Sequence, residues 1–534
     1  MMTGQNILLE SKDKVKAWVP KVRKVVEEDI AAQLERLGIR PGGKAVPIEK
    51  MSLADEAKSI RIRLQALLDR ETLSEGNVKR GYEAVRREIA YTFLNRLLGL
   101  KCMESRRLLY LTPPGNPDGI PEETEIITPV PGQAKSRYLR DLRAAGGSRY
   151  KYATDAEEIL LRDGLTAAFR QITKEIRILF DPDHEYSYLW PTHACLLRII
   201  EMINNDLPVD AYRARDFLGW VYQFFNREEK KKVRDENKGI PQTSYQLAVM
   251  NQFYTPPWIV KTLVDNTLGR LWLQMHPDSS LKAKEPPPLP EERTSWEPVA
   301  DYLVPGTGEK LLYKRLTDQG EVQDFKKARD IALLDPACGT MHFGQYAFGL
   351  FYRMYEEEIE NAGRKGWPEE PSEKDRRDVS KAIVENNLFG IDIDPRAIQI
   401  ASLGLLLTAK EATIQHGYGP ADARITRTNL VVANAVNLGE DHLRTLIERV
   451  NGRFGSLEIK ERLFKTIWNN LQHLGELGSL VQVHEGVAKV IDEWVERQAY
   501  EKGITAFLKE PAEQLDLYSR ERVKQYRLKR QVLE

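Results

Sequence analysis

Residues 331–344 read IALLDPACGTMHFG, and residues 388–395 read LFGIDIDP. In each stretch a short apolar run, typical of a buried strand, leads through a turn toward an amphipathic helix. A third apolar run, NLVVANAV, begins at Asn429. The order strand, helix, strand, helix, strand predicts an α/β domain with a parallel, doubly wound, Rossmann-like sheet whose crossovers are right-handed.

The loop DPACGTMHFG lies where the first strand ends and its helix begins. Small residues there let a ligand approach the backbone closely, and the first amides of the helix supply unpaired donors. The loop is not a phosphate-binding P-loop, because no Lys-Ser or Lys-Thr follows Gly344, and it is not a dinucleotide G-x-G-x-x-G loop. Asp335, which opens the loop, suits a ligand that carries an ammonium group. The alternative is a tight turn in which Asp335 only caps the helix. Cys338 is interpreted as a small turn residue, not as a nucleophile.

The second stretch places Asp392 near the carboxyl end of its strand, where an acid can accept both hydroxyls of a ribose. Asp394 precedes a proline at a helix start, which predicts an N-cap. Asp392 follows Asp335 by 57 residues, whereas the usual interval is about 20. The charged stretch 357–382 accounts for the excess as an insertion. The alternative is that Asp392 is only a turn residue.

The rest of the chain divides into three predicted parts. Residues 1–245 form a helical N-terminal domain, because apolar residues recur there at three- and four-residue spacing. Residues 246–440 form the sheet-bearing core, interrupted by a Pro-rich insertion over 276–298. Residues 441–534 form a helical C-terminal segment.

Composition sets further limits on the class of protein. Hydrophobic residues make up 42% and charged residues 30% of the 534 positions. No apolar run reaches the roughly 18–20 residues of a membrane span, and the first residues do not resemble a secretory signal. We therefore expect a cytoplasmic protein with no membrane partner. The three cysteines are dispersed, so neither a disulfide framework nor a metal site is predicted.

The formal net charge is zero, which by itself does not indicate a nucleic-acid-binding protein. Cations nevertheless cluster in two places, KSRYLRDLRAAGGSRYKY over 135–152 and RERVKQYRLKR over 520–530. Such stretches can contact DNA phosphates. The alternative is that each is an ordinary solvated surface or chain terminus.

Together with QFYTP at 252–256, the strings DPACGT and GIDIDPRA resemble the gamma-class adenine-N6 DNA methyltransferases. Within that class they are similar to the large PglX-type enzymes of BREX phage defence and the related enzyme of DISARM systems. The similarity extends over most of the chain through helical strings at 90–105, 216–226, 251–269 and 476–483. The resemblance implies a partial Rossmann-like methyltransferase core, S-adenosyl-L-methionine as cofactor and double-stranded DNA as substrate.

The resemblance also assigns cofactor-binding residues. Before the first strand, Phe253, Tyr254, Thr255 and Pro256 are expected to pack on the cofactor. In the loop, Asp335, Ala337, Gly339 and Thr340 are expected to surround its methionine part. Asp392 is expected to contact the ribose, Ile393 the adenine ring, and Asn434 is expected to lie near the adenine amino group.

The catalytic motif of the family is Asn or Asp, then Pro-Pro, then an aromatic residue, and the 534 residues contain no such tetrapeptide. The nearest strings are GNPDG and YTPPW, so no catalytic residue is assigned. We expect a second polypeptide to supply this motif and the target-recognition domain, with other defence-system subunits as further partners. The alternative is a non-catalytic subunit that binds the cofactor or DNA. A fused nuclease is disfavoured, because Glu10-Ser11-Lys12 has no acidic partner at a suitable distance upstream.

Overall fold

The computed structural model divides the chain into two compact units, Met1–Val432 and Ala433–Glu534. It describes residues 4–281, 326–433 and 457–472, together with the pairs 315–316, 322–323 and 489–490. Short gaps within these ranges fall at 43–45, 117, 152–154, 237, 241–245, 247–248, 253–254, 277, 420–421 and 423–424.

The first part of the larger unit is helical, as the apolar spacing predicts. Its described helices are α1 Gly4–Arg36, α2 Asp55–Glu75, α3 Val78–Ser105, α4 Arg137–Ala145, α5 Ala156–Ile172, α6 Arg177–Phe180, α7 His193–Asn205, α8 Val209–Arg213, α9 Phe217–Phe225 and α10 Arg227–Glu236. Two short antiparallel strands, β1 Tyr110–Leu111 and β2 Glu122–Glu123, lie between α3 and α4.

Helix α3 is the centre of this helical part. Its N-cap is Asn77, whose side chain accepts a hydrogen bond from the backbone N–H of Arg80 over 2.9 Å. Every residue over 87–103 is buried, which is the pattern of a helix surrounded by others on all sides. One buried cation on it has two polar partners: Lys101 donates to Thr128 Oγ1 at 2.8 Å and to Asn204 Oδ1 at 2.7 Å.

The sheet that follows is parallel and has the strand order β5-β6-β7, with β5 Leu333–Asp335, β6 Leu388–Asp392 and β7 Asn429–Val432. Asp335 is paired with Gly390, and Asp392 with Val432. All three predicted strands are thereby confirmed. The register brings the carboxyl ends of β5 and β6, each of which ends in an aspartate, to the same edge of the sheet.

Further elements surround this sheet. They are the helices α11 Pro257–Val264, α12 Arg270–Met275, α13 His342–Asn361, α14 Arg376–Ala382 and α15 Pro395–Gln415, single π-helical turns at Asp265–Gly269 and Ile383–Asn387, and the antiparallel pair β3 Arg315–Leu316 and β4 Val322–Gln323.

The described sheet is wound in one direction only. Helix α13 connects β5 to β6 and α15 connects β6 to β7, so right-handed crossovers put both helices on one face. On the opposite face, Leu334 and Val431 are 58% and 53% exposed. The reversal of strand order that a doubly wound sheet requires is not found among the described strands. The α/β class is confirmed in this coarser form, as a mostly helical chain with a small parallel sheet.

Helix α15 is a core helix. Among the described helices it is long and apolar enough to cross a membrane, but 83% of its most apolar stretch is buried inside the protein. It contacts α3, α6, α9, α13 and α14. Gly99 of α3 allows a close approach, because a Cβ atom there would lie 3.1 Å from Leu403 of α15. The N-terminal helices and the sheet-bearing segment therefore share one continuous core.

The predicted three-part division stays a prediction. Its first boundary, near residue 245, falls inside the larger unit. Most of the Pro-rich insertion lies outside the described residues, although its first part is held by a buried acid: Ser280 donates its backbone N–H to Glu357 over 2.6 Å. In the smaller unit, the described residues include the helix α16, Leu457–Gln472.

Candidate cofactor-binding site

The loop after β5 is shaped by its own backbone. Asp335 Oδ1 accepts the backbone N–H of Ala337 at 3.2 Å, which closes a tight turn at the end of the strand. The loop then passes through two left-handed conformations, at Gly339 with φ +51° and at Met341 with φ +60°. Left-handed backbone in a residue other than glycine stores strain and is concentrated at functional sites.

Cys338 holds this loop against the next strand. Its backbone N–H donates to the carbonyl of Ile391 over 2.9 Å, and its side chain is 4% exposed. A Cβ atom at Gly390 would lie 2.9 Å from Cys338 Sγ, so only glycine fits opposite it. Burial raises the pKa of the Cys338 thiol, and the nearby carboxylates of Asp392 and Asp335 raise it further. The thiol is thus kept protonated, which agrees with a packing role and not with a nucleophile.

Asp392 closes the site from the neighbouring strand. Its Oδ2 accepts the backbone N–H of Gly339 at 2.8 Å, and its Oδ1 accepts that of Asp394 at 2.8 Å. Burial raises the pKa of Asp392 despite these two donors. Burial likewise raises the pKa of Asp335, where the N–H of Ala337 opposes the shift and Asp392 adds to it. Two half-buried acids therefore face one region at the carboxyl edge of the sheet, where a cation would relieve their desolvation.

The other predicted cofactor residues differ in how far they are exposed to solvent. Ala337 and Pro256 are exposed, while Thr255, Gly339 and Ile393 are half-buried. Thr340 is 8% exposed and lines a cavity of about 10 Å³ with Arg106 and Arg215. That volume holds about one water molecule. Phe253, Tyr254 and Asn434 lie outside the described residues, so the contacts predicted for them stay predictions.

Asp394 is the N-cap of α15, as predicted, and accepts the backbone N–H of Arg396 over 3.0 Å. It is also the centre of a buried cluster that sequence analysis missed. Its carboxylate accepts two hydrogen bonds from the Arg396 guanidinium, one from Tyr222 and one from Gln252. Burial alone would raise the pKa of Asp394, but Arg396 and these donors hold it below its ordinary value. The pattern Asp-Pro-Arg offers one local signal for the cluster, a guanidinium two residues after a capping acid.

The positive charge of Arg396 lies close to two carboxylates. It is 2% exposed, and its Nε lies 3.7 Å from Glu88 of α3 in addition to its bonds with Asp394. Its guanidinium also lies over the ring of Tyr91, 5.4 Å from the ring centre. A buried guanidinium is tolerated only when it is paired. These contacts therefore link α3 to the start of α15, directly after the strand that ends at Asp392.

The basic stretch 135–152 is largely neutralised within the fold. Four of its six cations form ion pairs: Lys135 and Arg143 with Glu157, Arg137 with Glu122, and Arg149 with Asp163. Contact of this stretch with DNA phosphates and its alternative, a solvated surface, both stay predictions. The second basic stretch, 520–530, lies outside the described residues.

The described residues contain no group of three or more His, Cys, Asp or Glu side chains that could hold a metal ion. The cysteines Cys102, Cys195 and Cys338 are all free and buried.

Comparison with known proteins gives two significant relatives. The chain is 27% identical over 414 residues to the adenine-specific methyltransferase BrxX of Escherichia coli O9:H4 (strain HS), covering 74% of this chain and 30% of the relative. It is 26% identical over 428 residues to the adenine-specific methyltransferase PglX of Lacticaseibacillus casei (strain Zhang), covering 74% of this chain and 32% of the relative. No family profile matches the chain.

The chain spans about a third of the length of these curated relatives. Both are named adenine-specific methyltransferases, and PglX is the type to which the motifs pointed. The resemblance predicted from DPACGT, GIDIDPRA and QFYTP is therefore confirmed, and the chain is similar, over about three quarters of its length, to the PglX-type adenine-specific methyltransferases.

Proposed function

We propose that this chain is the S-adenosyl-L-methionine-binding portion of a DNA adenine-N6 methyltransferase of a phage-defence or restriction-modification system, built on a Rossmann-like core. One observation carries the proposal. Asp335 and Asp392 end adjacent parallel strands at the same edge of the sheet, and the N–H of Gly339 joins the loop of the first to the carboxylate of the second. Ligands of open α/β sheets bind at this carboxyl edge.

The residues at this edge fit the proposed cofactor chemically. S-adenosyl-L-methionine carries an ammonium group and a ribose with two hydroxyls, and carboxylates accept hydrogen bonds from both. A dinucleotide fits less well, because its pyrophosphate would face Asp335 in the loop, where such ligands are held by backbone N–H donors. Burial raises the pKa values of Asp335 and Asp392, so a cation bound at this edge would offset part of the cost of burying the two charges.

The chain's own residues bind and orient the cofactor in this proposal. Asp335 holds the ammonium group, and Asp392 accepts the ribose hydroxyls with the lone pairs that its two backbone donors leave free. The resemblance assigns the half-buried Ile393 to the adenine ring, and Thr255 and Pro256 to further contacts with the cofactor. When bound, the cofactor supplies an electrophilic methyl group. Fixing its orientation removes much of the entropic cost of bringing two reactants together.

Methylation of adenine needs more than these residues. The amino nitrogen is a poor nucleophile, because its lone pair is delocalised into the ring, so acceptors must hold its hydrogens while an aromatic surface stacks on the flipped base. We propose that an Asn-Pro-Pro-Tyr-type motif and a target-recognition domain come from further polypeptide. The partners in this proposal are double-stranded DNA, that polypeptide and other defence-system subunits, in the cytoplasm.

Two measurements test the proposal. Isothermal titration of the chain with S-adenosyl-L-methionine should show one site, and dinucleotides should not compete for it. Tritiated methyl transfer to mixed genomic DNA should be absent with the chain alone and should appear when the polypeptide carrying the motif is added. Lack of cofactor binding would refute the proposal. Binding without transfer under both conditions would favour a non-catalytic cofactor-binding subunit, and transfer by the chain alone would require an unrecognised catalytic loop, with Asn434 the first residue to replace.

A further inference from the structure

Gln252 connects the two sides of the candidate site. It is 5% exposed and immediately precedes the segment that leads to Thr255 and Pro256. Its Nε2 donates to Asp394 Oδ2 over 3.0 Å, and its Oε1 accepts from Asn226 Nδ2 at 3.1 Å. Its backbone carbonyl accepts a hydrogen bond from Lys230 Nζ. Side chain and main chain of Gln252 are thus both fixed.

Asp394 connects Gln252 to Asp392, the acid that is expected to bind the ribose. The backbone N–H of Asp394 donates to Asp392 Oδ1 at 2.8 Å, so the residue that Gln252 binds also orients the carboxylate of Asp392. The bidentate guanidinium of Arg396 fixes the Asp394 carboxylate in turn. A short series of contacts therefore runs from Gln252 through Asp394 to Asp392.

We propose that Gln252 is a positioning residue for cofactor binding, which through Asp394 sets the distance between the chain entering Thr255 and the carboxylate of Asp392. The inference rests on the proposed function of the site. Asn226 lies at the end of α9 and Lys230 lies in α10, and both bind Gln252. If Gln252 positions the site, the helical part of the chain therefore contributes to cofactor binding.

The structure provides a matched control for this role. Tyr222 donates its hydroxyl to the same oxygen, Asp394 Oδ2, over the same 3.0 Å. Tyr222 lies within α9 and does not belong to the segment at 252–256. Tyr222→Phe and Gln252→Met therefore each remove a buried hydrogen bond to Asp394, but only the second releases the chain that enters the site.

The test measures affinity for S-adenosyl-L-methionine by calorimetry on the full chain, well below the unfolding temperature of each variant. Gln252→Met should weaken binding about tenfold, which corresponds to about 1.4 kcal/mol, whereas Tyr222→Phe should change it less than twofold. Equal losses in the two variants, or no loss in Gln252→Met, would overturn the proposal. Should Gln252→Met fail to fold, Lys230→Met removes the bond to the Gln252 carbonyl and should weaken binding about threefold.

Hydrogen exchange separates this inference from the proposed function. In the chain without cofactor, amides over 255–264 should exchange about tenfold faster in Gln252→Met and at the wild-type rate in Tyr222→Phe. That result supports positioning even if the wild type binds no S-adenosyl-L-methionine, in which case only the proposed function fails. Unchanged exchange in Gln252→Met would contradict the positioning role whatever the affinity.

Discussion

Gly339 donates its backbone N–H to Oδ2 of Asp392 over 2.8 Å, across 53 residues of sequence. One carboxylate therefore has two tasks, bracing the loop that follows β5 and, in the proposed function, accepting the hydroxyls of the ribose. Replacing Asp392 should disturb both. The cofactor loop and the ribose acid are consequently coupled, and neither can be altered alone.

Asp392→Ala should weaken binding of S-adenosyl-L-methionine by about 1–3 kcal/mol, the usual cost of leaving buried hydrogen-bonding groups unpaired. Calorimetry measures the change. The control is Asp375→Ala, which removes an aspartate whose side chain caps α14 by accepting from the N–H of Arg377. Asp375→Ala should lower stability and leave affinity unchanged. Equal affinity in wild type and Asp392→Ala would remove Asp392 from the site.

The pH dependence of the free energy of unfolding should reveal the cost of burying the charged carboxylate of Asp335. Its pKa is raised above 3.8 in the fold, mainly by burial, so the folded state binds a proton more tightly than the unfolded state does. Stability from this group is fully present below pH 3.8 and is lost as the pH rises through the folded pKa. Without cofactor, Asp335→Asn should therefore melt at a higher temperature than wild type at pH 7 and lose that advantage near pH 3.5.

The same variant should bind S-adenosyl-L-methionine more weakly at pH 7, because an amide attracts the ammonium group less than a carboxylate does. Thermal unfolding with and without cofactor measures both effects. A melting difference that is the same at pH 3.5 and pH 7 would show that ionisation of Asp335 is not its cause.

Gly390 is predicted to be intolerant of any side chain. A Cβ atom there would lie 2.7 Å from Leu430 and 2.9 Å from Cys338 Sγ, so Gly390→Ala should displace the loop and cost about 1–3 kcal/mol of stability by overpacking. Cofactor affinity should fall as well, because Cys338 lies in the cofactor loop. Gly419→Ala is the control, since its Cβ would meet only Asp422 at 3.6 Å. Denaturant unfolding that gives equal stability for both variants would contradict the close packing at Gly390.

The acid at Glu157 is predicted to suppress contact with DNA. Glu157 pairs with both Lys135 and Arg143, so Glu157→Gln should free two cations for phosphates. Each added phosphate contact steepens the dependence of log K on log salt by about 0.9. Titration with double-stranded DNA at several salt concentrations measures this slope. Glu158→Gln makes the same charge change one residue further on and should leave the slope nearly unchanged; equal slopes in the two variants would mean that the freed cations do not reach phosphate.

Local patterns predicted much of the sheet. The apolar runs gave β5, β6 and β7, and Asp-Pro gave the N-cap of α15, because strands and caps depend on neighbouring residues. The doubly wound arrangement stays a prediction that is not confirmed among the described strands. Only one direction of winding is present there, and strand order depends on contacts between distant segments.

Tertiary contacts account for what sequence analysis missed at the site. Gln252 and Tyr222 reach Asp394 across 142 and 172 residues, and no periodicity records such a contact. The basic stretch was ambiguous for the same reason. Glu157 and Asp163, which neutralise much of it, lie beyond its end in sequence and meet it only through the packing of α4 against α5.

The contact between Gly99 of α3 and Leu403 of α15 has a consequence for synthesis on the ribosome. About 300 residues separate the two, and at roughly 5–20 residues per second translation needs about 15–60 s to cover that interval. Throughout it, α3 lacks the part of its packing surface that α15 supplies, although α1 and α2, which also pack on it, are already made. The part of α3 that α15 later covers is then open to chaperones and to neighbouring nascent chains, and the core around Gly99 is completed only after α15 has been synthesised.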